Sequence, residues 1–134
     1  MYREKFFKRL ALLILLIFLL NFSANNLYWY YAIWWFDMLM HFLGGLWVGL
    51  FTLYLLRPES LNNSLIFKVF LAVFMVGIGW EIFEFVFTNV VAGGPFHLPD
   101  TLSDIFFDLS GSVAALFYFS KKIMAQRENK IQSS

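Results

Sequence analysis

Gly79-Trp80-Glu81-Ile82-Phe83-Glu84-Phe85, GWEIFEF, sets two carboxylates into a mostly apolar run that extends from about Leu65 to Val91. A helix over that run reaches the length needed to cross a bilayer's hydrocarbon core, about 20 residues. Ionisable groups inside such a span are costly and mark a functional site by default. Whether Glu81 and Glu84 are tolerable depends on what the rest of the chain brings beside them, and that decides the architecture.

The rest of the chain is composed for lipid. Hydrophobic residues make up 60% of the 134 positions and charged residues only 14%, with 18 Phe and 5 Trp, a balance unlike that of soluble domains. A net charge of +1 with no basic stripe argues against a nucleic-acid partner. The absence of cysteine excludes disulfides, thiolate metal sites and iron–sulfur clusters.

Working outward from GWEIFEF, three further hydrophobic segments emerge, and helices are expected at about 6–24, 34–56, 65–91 and 101–124. The first carries Arg3, Lys5, Lys8 and Arg9 ahead of an unbroken apolar run, Leu10 to Leu20, as a signal peptide would. The nearby cleavage position, after Ala24, has bulky Phe22 where a small residue is wanted, so the segment is expected to stay as a helix. The second follows YWYYAIWW, Tyr28 to Trp35, which reads as aromatic anchoring at a membrane interface. The third stops at Gly93-Gly94-Pro95, and the fourth starts after Pro99. The reading is an all-α polytopic membrane protein: four transmembrane helices in a compact bundle forming one domain over 1–124, then a polar tail over 125–134 expected to be frayed or disordered.

Basic residues orient it. They lie at the N-terminus, at Arg57 and Lys68 around the second loop, and at Lys121, Lys122, Arg127 and Lys130, whereas segments 21–36 and 92–100 contain none. The positive-inside rule then puts both termini in the cytoplasm, in an inner (cytoplasmic) membrane, with membrane lipids as the surrounding partner.

Four antiparallel crossings bring the start of the second span, the end of the third and the start of the fourth to one face. Those places hold Asp37 and His41, Glu81 and Glu84, and Asp104 and Asp108. The spacings of three and four put each pair on one side of its helix. At 1.5 Å per residue, His41 and Asp108 fall roughly 6–10 Å below the outer boundary, with Glu81 at a similar depth. Every Lys and Arg belongs to the opposite face. Carboxylates gathered there cannot all stay ionised without a cation, shared protons or water.

Simpler readings apply to some of these residues. Asp37 and Asp104 sit in expected first turns, where a carboxylate suits the helix dipole, and Thr101-Leu102-Ser103-Asp104 loosely fits a capping box. Glu84 has no such excuse, since the dipole disfavours negative charge near a helix C-terminus. His97, Asp100 and Thr101, in or beside the outer loop, are accessory candidates. Gly44, Gly45, Gly49 and Gly111 are small residues that allow close helix packing.

The sequence FDMLMHFLGG, then GWEIFE, then DTLSDIFFDLSG, resembles the family of small inner-membrane proteins typified by YjdF. More distantly it resembles the VanZ-like membrane proteins. The first likeness rests on Asp37, His41, Phe42, Glu81, Glu84, Asp100, Thr101, Asp104 and Gly111. VanZ-like proteins share the Asp-x3-His and a later Asp-x3-Asn-x2-Gly, where this chain has Asp108 at the Asn position. They often carry Gln where Glu84 stands, and an Arg before their last motif that is missing here. The resemblance covers roughly residues 34–115, and the VanZ name implies a link to glycopeptide tolerance and the cell envelope.

Three functions are consistent with these residues. One is a membrane-embedded metal site, with Mg, Mn, Fe or Zn held by carboxylates and one imidazole. It would act as a metal-dependent hydrolase or transferase on a lipid or envelope substrate. Another is a non-catalytic envelope accessory protein whose polar network fixes helix packing. The third is a small proton or cation conduit, which would be a homo-oligomer because four helices enclose little volume.

Overall fold

The computed structural model describes residues 2–133, and among these every regular element is helical: α1 (Tyr2–Asn26), the single turn α2 (Trp29–Ala32), α3 (Phe36–Leu56), α4 (Asn63–Phe85), which continues as a π-helical turn over Val86–Val91, and α5 (Leu98–Ser133). Four of them are long and apolar enough to cross a membrane. The expected all-α arrangement of four spans is what the chain adopts.

Local chemistry sets the ends. Asn25 and Asn26 turn their amides back to the carbonyls of Asn21 and Phe22. Tyr28 then takes a left-handed conformation (φ 57°), reversing the chain into α2. Arg57, also left-handed, ends α3 by donating its N–H to the Leu53 carbonyl, and Pro58 forbids continuation. Asn62 caps α4, its side chain accepting from the Leu65 N–H at 2.8 Å. At the far end of α4, Gly93 (φ +69°) makes the return possible, and the Asn89 amide holds the Gly94 carbonyl at 2.8 Å.

Two expectations about α5 need correction. The helix begins at Leu98, not Thr101, so Thr101 lies inside the first turns and is not a cap, and Asp104 sits a turn deeper than a dipole-stabilised position. The segment after Met124, expected to fray, continues as helix to Ser133. Ala, Gln, Arg, Glu and Lys are good helix formers that need no packing to favour this state.

α5 packs on α3 along its length and on α4, while α1 packs on α3 and makes no helix–helix contact with α4. Hydrophobicity drives little association inside lipid, so close backbone approach matters more. Small residues supply it: a Cβ added to Gly45 would strike the Asp108 backbone, one added to Gly111 the backbone of Phe42, Gly45 and Leu46, and one added to Gly49 would come within 2.8 Å of the Ala115 Cβ. Gly44, expected beside them at a helix contact, faces open space instead, with no atom within 4 Å of an added Cβ. Leu53, Leu65, Val69, Ala115 and Leu116 form the buried core between α3, α4 and α5.

The basic ends of the helices meet. Arg3 lies over the Tyr54 ring, Lys122 over Phe6 and Tyr118, and Arg9 donates to the Tyr118 hydroxyl. Trp47 ties α3 to α1 through a 3.0 Å bond to the Leu10 carbonyl. The start of α1 and the ends of α3 and α5 therefore share one face, and the acids of the expected cluster, Asp37, Glu81, Glu84, Asp104 and Asp108, lie toward the other.

Candidate metal centre

α3 presents His41 two turns from its start, and α5 presents Asp104 and Asp108 four residues apart on the face that Gly45 and Gly111 bring against it. All three are buried, 8%, 4% and 7% exposed respectively. The ring of His41 is bracketed by carboxylates. Nδ1 lies 3.3 Å from Asp108 Oδ1, while Nε2 lies 3.7 Å from Asp104 Oδ2 and 3.9 Å from Asp37 Oδ1. An ionised carboxylate only accepts, so Nδ1–H is placed to donate to Asp108, and Nε2 faces the other two acids, where either a proton or a cation would satisfy all three groups. On the remaining side Glu81 and Glu84 come within 4.8 Å of His41 and of each other, as Asp37 and Asp104 do.

The five expected acids thus gather around the sixth expected residue, His41, from three helices. Glu84 is the exposed member, and Asp37 is part-buried. Two buried oxygens, Glu81 Oε1 and Asp108 Oδ2, have no hydrogen-bond partner, an expensive condition in a low-dielectric layer. Thr101, at the start of α5, lies near enough for its side chain to influence the Glu81 carboxylate. Asp100 is exposed at the rim, close enough to add its charge to the field at Asp37, Glu81 and Glu84. His97 is exposed, and its backbone carbonyl takes the N–H groups of Asp100 and Thr101 at the start of α5. The structure gives its ring no place among the clustered acids.

Two contributors escape a reading of the sequence. Tyr30, on α2, donates to Asn21 Oδ1 of α1 at 2.7 Å. Both line a cavity that reaches Asp37, His41 and Asp108. Burial, then the charges of Asp37 and Glu84, push the Tyr30 phenol up to about 12, so it remains a donor. The YWYY run signals only an interface anchor, because its approach to α1 depends on the left-handed turn at Tyr28. Gly77, a small residue at the depth of the cluster, has a specific role: a Cβ there would lie 2.7 Å from Asp108 Oδ2, so the bare backbone makes room for the carboxylate that holds His41.

A family model described as "Predicted membrane protein (DUF2238)" matches residues 1–124. The chain belongs to this DUF2238 family of predicted membrane proteins. No curated protein and no solved structure matches it. Family membership agrees with the four apolar spans and leaves the chemistry to the site itself.

Proposed function

We propose that this DUF2238 protein is a multi-pass protein of the cytoplasmic membrane, related to the YjdF-type and VanZ-like proteins. In this reading both termini are inside, and its Asp/His cluster holds a divalent cation near the outer face for chemistry on a lipid or envelope substrate. The observation that carries this is the bracketed imidazole. Asp108 orients His41 through Nδ1, the arrangement by which carboxylates fix metal-binding histidines, and leaves Nε2 facing Asp104 and Asp37 at 3.7 and 3.9 Å. Donors bound at about 2.0–2.2 Å to one ion stand roughly 3–3.5 Å apart, so small side-chain rotations would close this set.

Asp37, His41 and Asp104 are the ligands in this reading, Asp108 is the orienting group, and Glu81 or Glu84 is the further ligand or general base. Carboxylate with one imidazole suits Mg, Mn, Fe or Zn. Such an ion acts as a Lewis acid toward a substrate oxygen or a bound water. The orphaned Glu81 Oε1 and Asp108 Oδ2 speak against a purely structural network, which is expected to be satisfied throughout. The apolar core of Leu53, Leu65, Val69, Ala115 and Leu116 interrupts any ionisable path from the cluster toward the basic end, which disfavours a conduit.

Metal analysis of the purified full-length protein tests the proposal. Stoichiometric divalent metal is expected in the native protein, lost in His41→Ala and weakened in Glu81→Gln. Metal-free protein whose melting is indifferent to both added ions and chelator would refute it.

A further inference from the structure

The cluster sits at one end of a larger space. Between α1 and α4, which do not pack on each other, lies a cavity of about 400 Å³ floored by α3. Ile14, Ile17 and Phe18 wall one side and Val73 and Val76 the other. The floor runs from Asp37 and His41, past Gly44, to Val48, about 16 Å along the helix at 1.5 Å per residue. Ionisable groups crowd one end, and beyond them the walls are aliphatic and aromatic. The volume is that of a small-molecule site. In a chain that crosses a membrane, a slot between two helices that do not touch is open to alkyl chains.

Gly44 supports a ligand-binding slot. Its neighbour Gly45 is pressed against Asp108, but an added Cβ at Gly44 meets nothing within 4 Å. Helix packing therefore does not account for Gly44; what its missing side chain does is keep the slot open. The headgroup end has a definite charge. Asp37, Glu81, Glu84, Asp104 and Asp108 gather there, and no Lys or Arg occurs in segments 10–56 or 69–120. Five carboxyl groups outnumber the two charges of one divalent ion and no basic residue offsets them, so whichever stay ionised repel a net anionic headgroup and attract an ammonium. Trp80 also lines the wall, and an indole is the best of the aromatic partners for a cation.

We propose that the slot seats one hydrocarbon chain of a lipid from the leaflet at the acidic end, with an amine-bearing, zwitterionic headgroup against Asp37 and its neighbours. This deepens the reading above by naming a substrate class, and shares with it the acidic cluster as the reactive end.

The test uses the full-length protein in nanodiscs containing a phosphatidylethanolamine with a diazirine in its chain. The same chain on phosphatidic acid and on diacylglycerol provides the comparison. After illumination, peptide mapping is expected to place the ethanolamine probe on Ile14–Phe18 and Val73–Val76, with excess unlabelled ethanolamine lipid suppressing it. Gly44→Phe, and Gly44→Leu as a second variant, displace several methylenes from the floor and are expected to cut labelling at those positions about tenfold or more. Their metal content and melting should stay at the native level. Labelling spread evenly over the lipid-facing surface, not competed, or unchanged in both Gly44 variants overturns the chain site. Equal or stronger labelling by the phosphatidic acid or diacylglycerol probe overturns the headgroup assignment. Metal content in the same preparations keeps the two proposals apart, since metal-free protein that still labels in the slot refutes the metal centre alone.

Discussion

Gly77→Ala removes no donor from the cluster, yet it should damage metal binding. The added methyl would stand 2.7 Å from Asp108 Oδ2. To reach an ordinary van der Waals distance of 3.4 Å the carboxylate must retreat by about 0.7 Å. The Asp108–His41 bond, at 3.3 Å, is already near the long limit for a hydrogen bond, and a shift of that size breaks or misaligns it. Losing the group that orients a metal-binding histidine lowers affinity about 10- to 100-fold. A Gly-to-Ala change inside a helix otherwise favours folding by about 0.5–1 kcal/mol. The control is Gly79→Ala, two residues along the same helix, where an added Cβ meets nothing within 4 Å. Isothermal titration of the apo-protein in detergent with Mn²⁺ or Zn²⁺ measures affinity directly, and thermal melting follows stability. Gly79→Ala should match or exceed native stability with native affinity, and Gly77→Ala should lose affinity. Indistinguishable affinities for the two variants would show that Asp108 does not position His41.

Gly111→Ala drives a methyl into the α3 backbone, within 2.8 Å of the Gly45 carbonyl carbon and closer still to Phe42 and Leu46. Backbone cannot yield as a side chain does, so a loss of about 1–3 kcal/mol is expected; an unchanged melting temperature in detergent would contradict the close α3–α5 approach. Tyr30 provides a pH signature, its folded-state phenol being raised to about 12 from 10.0. A group that holds its proton more tightly when folded stabilises the fold fully below pH 10. That contribution is lost between pH 10 and 12. Phenolate absorbance should therefore show a late step near pH 12 that disappears in Tyr30→Phe, and a titration unaltered by that substitution would remove Tyr30 from the acidic site.

Neighbours distant in sequence make the carboxylates of GWEIFEF tolerable. Glu81 and Glu84 lie around His41 of α3, opposite Asp104 and Asp108 of α5. The convergence was legible because helix period and membrane thickness are rigid: four crossings of known length must return Asp37, Glu81 and Asp104 to one face. Those same rules could not separate ligand from support. Asp104 and Asp108 are equivalent in spacing, and only packing turns Asp108 toward Nδ1 and Asp104 toward Nε2.

By itself the sequence determined the four spans, their alternation and the absence of any basic residue near the clustered acids, because these follow from composition and periodicity along one dimension. Tertiary structure alone decided which glycine carries a helix contact and which leaves a space, and that α1 stands away from α4 to open the slot. It also decided that Tyr30 and Asn21 join the site, and that α5 starts early and runs long. Such outcomes depend on helix rotation and tilt, which apolar side chains facing lipid on most sides do not encode, and which here follow from a few close backbone contacts.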